Sequence, residues 1–294
     1  LIDCNGSNKT YHFSESYKRW QLDDSGSHTV TGGIITSTGS GSGSGVLVQN
    51  GGVFNMYGGT IVGNRGTTVS TGGTSGGRGG GVYVKDANSR FNLYGGEITG
   101  NTANGKYATL GGGGVFVYGG AFTMYGGEIT NNAATENSNN GGGVQVYTGT
   151  FNMTGGTIGG EGKGNTSGWS GGGVYVSEAT FTMSGDAAII GNSARSGGSG
   201  VDMPDGTFTM SGNAKIINNK VTGRQSSGGG VCVNGSQFTV SGDVQITGNT
   251  KGSDSVKNNV YLPSNKTITI DEGGLNDSAQ IGVTTNDKPE GETE

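Results

Sequence analysis

The chain has 294 residues, of which 66 are glycine and 3 are proline, and its formal net charge at pH 7 is −5. Glycine at about three times its usual share argues against long helices, where each glycine costs about 1 kcal/mol relative to alanine, and the lack of a three-residue glycine period excludes collagen. Only 13% of the residues are charged, which argues against a nucleic-acid partner because such proteins need a basic surface, and the apolar runs are too short for a membrane-spanning helix, so we expect no membrane insertion.

Residues 1–29 do not fit the repeat that follows them. They combine aromatic residues such as Tyr11, Phe13 and Trp20 with charged side chains. We expect this segment to be an N-terminal cap, because the end of a stacked repeat exposes strand edges that need cover. Cys4 lies here and Cys232 lies far along the chain, so we expect two free thiols, since a disulfide needs its Cα atoms within about 7 Å.

From residue 46 onwards one block recurs at intervals of 27 to 36 residues. Each copy holds a Val-x-Val type pair, then a Phe-x-Met type pair, and then an isoleucine. The first positions of these pairs are Val46, Val82, Val115, Val144, Val174, Val201, Val231 and Val260, followed by Phe54, Phe91, Phe122, Phe151, Phe181, Phe208 and Phe238. The isoleucines are Ile61, Ile98, Ile129, Ile158, Ile189, Ile216 and Ile246.

Within each block, apolar residues alternate with other residues, which indicates short strands with one buried face. Three short strands in about 30 residues, separated by Gly-rich turns, are typical of one coil of a β-helix; a propeller blade would need about 40 residues and four strands. The sequence therefore predicts an all-β fold. It is a right-handed parallel β-helix (a solenoid) over residues 30–270, with about eight coils of ~30 residues, stacked about 4.8 Å apart and capped at both ends.

An asparagine follows the isoleucine by three residues in six of the seven units: Asn64, Asn101, Asn132, Asn192, Asn219 and Asn249. We expect it at a bend of the coil, where its side-chain amide can bond to the next coil and its backbone can adopt a positive φ. After the last coil, residues 271–294 contain Leu275, Ile281 and Val283 and end in a polar, acidic stretch. This segment is predicted to be a C-terminal cap and the start of a linker.

Units such as Gly-Gly-Gly-Val-Tyr-Val (171–176) and Phe-Thr-Met-Ser-Gly (181–185) resemble repeats of large bacterial surface proteins. These are the right-handed β-helix adhesins and polymorphic-membrane-protein-like autotransporters, whose motifs are G-G-A-[I/L/V] and F-x-x-N. Here the motifs are G-G-G-V and F-x-M, and the closing stretch 260–285 is similar to the ends of such arrays in Gram-positive gut bacteria. The resemblance covers residues 45–285 and implies a β-helix on the cell surface; it implies no particular activity, since the same rod carries many functions.

Candidates for catalysis are few. His12 and His28 are the only histidines, and the Cys and His spacings of metal sites are absent, so no metal or cofactor is expected. Glu97 and Glu128 occupy equivalent places in adjacent coils, and stacked carboxylates about 5 Å apart would match a retaining glycosidase. The alternative is that they are two ordinary exposed acids.

Aromatic residues are the candidates for binding. Tyr83, Phe116 and Tyr175 stand between the paired valines and should point outward, where exposed rings could contact a sugar or a protein; the alternative is that they stiffen the sheet or lie under a long loop. A second outward row consists of Asn55, Asn92, Thr123, Asn152, Thr182, Thr209, Thr239 and Thr269. It could serve ice binding, but Thr is also simply favourable in strands.

The loops before the valine strands are longest in the first coils, and insertions on one face of a solenoid often build a binding site. Tyr107 and Trp169 in these loops are candidate ligand-binding residues, together with the row Tyr57, Tyr94 and Tyr125. The alternative is that such Gly/Ser/Thr-rich loops are merely tolerated.

The sequence as a whole favours a non-enzymatic extracellular module, secreted or attached to the cell surface, that belongs to a larger bacterial adhesin or stalk. Its expected partner is a glycan or a host surface protein. The alternatives are a polysaccharide-degrading enzyme, either a glycoside hydrolase or a lyase, and a purely structural spacer.

Overall fold

The structure is a computed structural model that describes residues 11–14, 19–22, 27–30, 32–36, 43–67, 77–105, 111–137, 139–223, 228–235 and 237–285. Over these ranges every regular element is a β-strand and no helix is present. Parallel strands stack in register to form a β-solenoid of about seven turns. The predicted all-β stack of parallel coils is confirmed, with a coil count close to the expected one, and the right-handed winding stays a prediction.

Each full coil contributes to three sheets, which are parallel apart from one antiparallel pair, Thr250–Lys251 with Val256–Lys257, at the end of the third. The valine and phenylalanine strands belong to one 16-stranded sheet, here the first sheet, and the isoleucine strands form a nine-stranded second sheet. An eight-stranded third sheet, which was not predicted, follows the asparagine bend. Its strands are only two or three residues long. Most bury a single side chain, such as Ala103 or Ala134, and the last two bury none, so they leave no alternation to detect.

The strand bounds follow this order. The first sheet contains Ser27–Val30, Val46–Val48, Val53–Met56, Val82–Lys85, Arg90–Leu93, Val115–Met124, Val144–Met153, Val174–Val176, Ala179–Met183, Val201–Met203, Gly206–Met210, Val231–Val233, Gln237–Gly242, Val260–Leu262, Ile268–Leu275 and Val283–Thr285. The second contains Ile34–Ile35, Thr60–Val62, Glu97–Thr99, Glu128–Thr130, Thr157–Gly159, Ala188–Ile190, Lys215–Ile217, Gln245–Thr247 and Gln280–Ile281. The third contains Arg65–Thr67, Thr102–Asn104, Ala133–Ala134, Thr166–Ser167, Ser193–Ala194, Lys220–Val221, Thr250–Lys251 and Val256–Lys257.

A single hydrophobic core runs along the inside of the solenoid and consists of the predicted valine, phenylalanine and isoleucine ladders. Phe122 pairs in register with Phe151, and their ring centroids are 4.7 Å apart with planes 5° from parallel. Phe181 and Phe208 repeat this arrangement at 4.8 Å. Because each coil repeats the same inward side chains, the same packing contacts recur along the interior.

A buried ladder of asparagines supports the bend between the second and third sheets. The Asn101 side-chain NH₂ donates to Asn132 Oδ1 at 3.0 Å and also to the Ile61 carbonyl at 2.9 Å, and the Asn101 backbone N–H donates to the same Asn132 oxygen. Asn165 continues the ladder to Asn192, although no asparagine follows Ile158 by three residues. The reason is the extra segment Gly160–Gly164, which displaces the asparagine in sequence but not in space.

The expectation of a positive φ at these asparagines is wrong. The preceding residue adopts it instead, as at Gly100 (φ 62°), Asn131 (φ 54°) and Gly191 (φ 67°). The ladder asparagines are therefore selected for their amide groups, and the glycine or asparagine before them is selected for the backbone turn.

The parallel pairing extends past both limits of the predicted 30–270 range. Ser27–Val30 pairs with the strand Val53–Met56, and Val283–Thr285 pairs with Val260–Leu262. Before the stack, Tyr11–Ser14 and Arg19–Leu22 form a separate antiparallel pair within the predicted N-terminal cap; most of that cap lies outside the described residues.

Candidate functional site

Three tyrosines form an exposed stack at the corner where the first sheet turns into the second. We call Tyr57, Tyr94 and Tyr125 the tyrosine ladder. The ring centroids of Tyr57 and Tyr94 are 4.3 Å apart and those of Tyr94 and Tyr125 are 4.7 Å apart, with planes within 4° of parallel. The side chains remain 52%, 38% and 48% exposed, respectively. Large rings are thus held in fixed positions at the surface.

The turn after each tyrosine explains why the rings superpose. In Tyr94-Gly95-Gly96-Glu97, Gly96 has a φ of +89°, which favours glycine, and the Glu97 N–H donates to the Gly59 carbonyl of the previous coil at 2.9 Å. Gly95 packs directly against the previous coil, where an added Cβ would lie 2.7 Å from the Tyr57 carbonyl oxygen. Repeated Gly-Gly turns therefore stack tightly, and each tyrosine leaves its strand in the same direction as the one before.

The stacking also determines which parts of the rings are accessible. Tyr94 lies between two rings, so both of its faces are covered and only its edge and hydroxyl remain open. Desolvation and then the neighbouring Tyr57 raise the pKa of the Tyr94 hydroxyl. The outer face of Tyr125 is different, because the next coil has Thr154 in place of a tyrosine.

The two candidate carboxylates lie next to this corner. Glu97 and Glu128 are register partners on adjacent strands, as expected. They have different neighbours: Thr130 Oγ1 donates a hydrogen bond to Glu97 Oε1 at 2.7 Å, whereas Glu128 Oε2 lies 3.5 Å from the Lys163 ammonium. The pair is present as predicted, and its role in catalysis stays a prediction.

The expectation that Tyr83 and Phe116 form an exposed aromatic face is wrong, because both side chains are buried. They point away from the main core, but the Gly-rich segment before each valine strand folds over them. A Cβ on Gly112 would lie 2.9 Å from the Phe116 Cβ, so only glycine allows this cover. Arg78 completes it by donating a 3.3 Å hydrogen bond to the Tyr83 hydroxyl. Burial raises the pKa of Tyr83.

Tyr175 is half-buried in the same covered row, beside an acidic residue. Desolvation, followed by the charge of Asp202, raises the pKa of Tyr175 to about 12. Asp202 itself is buried, and burial raises its pKa to about 6 despite hydrogen bonds from the Gly198 N–H (2.9 Å), Ser170 and Cys232. Cys232 is buried and forms no disulfide, as expected, whereas Cys4 lies outside the described residues.

A second exposed aromatic group was missed. Tyr118 stacks on Tyr147 with ring centroids 5.7 Å apart, and the Arg78 guanidinium lies 5.2 Å from the Tyr118 ring centroid. The sequence did contain a signal: each tyrosine directly follows the second valine of its block, so simple alternation places it on the outside.

The remaining aromatic candidates do not join the tyrosine ladder. Trp169 is exposed in the segment that precedes the valine strand, whereas the ladder follows the phenylalanine strand, so the width of the first sheet separates the two positions. Tyr107 lies outside the described residues. The structure therefore presents separate aromatic patches and not one combined site.

Within the described ranges, no group of three or more metal-binding side chains comes together. The same part of the chain has no helix that is long and apolar enough to span a membrane. No protein-family model, curated protein or solved structure matches this chain. The candidate site therefore has to be interpreted from its geometry alone.

Proposed function

We propose that this chain is a non-enzymatic extracellular module of a bacterial adhesin or surface stalk that binds a glycan or a host surface protein. The observation that carries the proposal is the tyrosine ladder. Aromatic side chains fixed at a surface, with an apolar body and a polar hydroxyl, are typical of recognition sites. The resemblance of the repeats to bacterial surface proteins supports the extracellular location.

Rigidity supports the same proposal. The tyrosine rings stack on each other and their turns pack against the neighbouring coils. Little side-chain entropy is then lost when a ligand binds, and a smaller entropic cost of binding increases the affinity.

The test is a binding assay on glycan arrays, mucin and host surface proteins with the wild type and a variant in which Tyr57, Tyr94 and Tyr125 are all changed to serine. Serine is the matched choice, because Ser184, Ser211 and Ser241 occupy the same corner in later coils. We expect the variant to lose at least about tenfold in affinity and to keep its β-rich circular dichroism spectrum. Val256→Ala serves as the control, because Val256 is an exposed hydrophobic residue outside the aromatic candidates. A wild type that binds none of these partners would contradict the proposal and favour a purely structural spacer.

A second candidate function is polysaccharide degradation, which is favoured by the in-register pair Glu97 and Glu128. This candidate requires turnover of a uronic or mucin glycan that falls at least about 100-fold when either residue becomes glutamine. A wild type without turnover on these glycans would exclude that activity.

A further inference from the structure

The tyrosine ladder ends abruptly in the fourth coil. Met124 and Met153 are register partners, and the Thr154 backbone N–H donates to the Met124 carbonyl at 2.9 Å. Thr154 therefore occupies the position that would carry the next ring. The end ring Tyr125 is more exposed than the central ring Tyr94, at 48% against 38%, as expected for a ring with one uncovered face.

The two residues after Thr154 add no side chain to this surface. They are Gly155 and Gly156. A Cβ at Gly155 would lie 2.5 Å from the Tyr125 carbonyl oxygen, and Gly156 has a φ of +80°. Both positions therefore remain glycine, and Thr154 is the only side chain that this corner of the fourth coil places next to Tyr125 in the stack.

We propose that one neutral hexopyranose ring of a glycan chain stacks on the free face of Tyr125, above Thr154, in the place of the missing ring. This inference rests on the proposed glycan-binding function and identifies the subsite and the sugar class. The ring spacing of 4.7 Å between Tyr94 and Tyr125 is the distance at which the C–H face of the sugar would continue the stack.

Glu128, on the same turn as Tyr125, and its ion-pair partner Lys163 favour a neutral sugar. Glu128 follows Tyr125 by three residues across the same turn, and its carboxylate lies 3.5 Å from the Lys163 ammonium, with both side chains about half exposed. Such a pair supplies hydrogen-bond acceptors and donors for sugar hydroxyls. Because the two charges balance, the pair gives no preference for a uronate.

Other corners of the described chain lack this combination. Both faces of Tyr94 are covered by rings. The other end ring, Tyr57, is 52% exposed, but Thr60 stands at its corner where the next coils carry a glutamate. In the fifth, sixth and seventh coils the corner reads Ser-Gly-Asx, so no ring is present for stacking. The free face of Tyr125 is therefore the best-defined subsite on this edge.

The test uses saturation-transfer NMR and calorimetry on the full chain, with methyl glycosides of glucose, galactose and mannose, and with tetrasaccharides of the same sugars. Thr154→Tyr places the chain's own ring on the free face and should weaken hexose binding at least about tenfold, with the thermal midpoint unchanged or raised. Glu128→Gln and Lys163→Met should each weaken it about three- to tenfold. Ser211→Tyr makes a matching change two coils away and should leave binding unaffected.

The outcomes separate this inference from the function on which it rests. If the wild type binds mucin or array glycans and Thr154→Tyr binds them equally well, the subsite is wrong and the proposed function stands. Binding of glucuronate or galacturonate glycosides in preference to neutral ones would overturn the sugar class. A wild type that binds none of the probes, on arrays or in solution, would overturn both.

Discussion

At the scale of single residues, Asp202 is the most unusual group in the structure. It stands in the covered row that includes Phe116 and Tyr175, where neighbouring coils carry aromatic or neutral side chains. Its carboxyl group has little exposure to solvent, and its pKa is raised to about 6 from an ordinary value of 3.8. Because the unfolded side chain ionises first as the pH rises, the carboxyl group favours the folded state below about pH 4, and this contribution is lost as the pH passes 6.

Changing Asp202 to asparagine should therefore remove this loss of stability between pH 4 and pH 7. The difference in free energy of unfolding between Asp202→Asn and the wild type should grow by about 2–3 kcal/mol between pH 4 and pH 7. Urea unfolding at several pH values measures it. Asp205→Asn in the same coil is the control, because Asp205 is exposed. A constant difference for Asp202→Asn between pH 4 and pH 7 would contradict the buried carboxyl.

At the scale of elements, the asparagine ladder joins the coils through side-chain hydrogen bonds. The Asn132 side-chain NH₂, for example, donates to Asn165 Oδ1 in the next coil and to the Ile98 carbonyl in the previous one. The Asn132 backbone N–H donates to the same Asn165 oxygen. A buried donor without a hydrogen-bond partner costs free energy, so each asparagine stabilises its neighbours in the ladder as well as its own position.

Asn165→Ala tests this arrangement. The change leaves the Asn132 side-chain NH₂ and backbone N–H without their shared acceptor, and we expect a loss of about 2–4 kcal/mol in the free energy of unfolding. Asn152→Thr is the matched control, because Asn152 is exposed and threonine fills the equivalent place in the next coil; its effect should stay within about 0.5 kcal/mol. Equal effects for the two variants would contradict a structural role of the ladder.

The elements differ in how far the sequence could predict them. The valine, phenylalanine and isoleucine strands were predictable because two-residue alternation recurs in every coil. The third sheet was not, because a strand such as Ala133–Ala134 is too short to alternate. The stacking of Tyr57, Tyr94 and Tyr125 follows from the Gly-Gly turns, whereas the burial of Phe116 depends on how a glycine segment folds over a strand, which residue spacing does not encode.

At the scale of the whole molecule, one edge of the solenoid changes in composition along its length. The first half of the corner between the first and second sheets carries tyrosines and paired glycines, and the second half carries serine, glycine and an acid or amide. At the far end, Ile270 and Val283 occupy core positions of their ladders and are exposed. The core pattern thus continues up to the last described coil.

The in-register stack of parallel coils is the central claim, because every surface position follows from it. Spin labels on Asn55→Cys and Thr239→Cys, in a Cys4→Ser background, would measure it by electron–electron double resonance. These outward positions are six register steps apart, so their backbones should be about 29 Å apart at about 4.8 Å per step. Moving the first label to Asn92 should shorten the distance by about one step, to about 24 Å. A broad distribution, or a distance that does not fall by about one strand spacing, would contradict the stack.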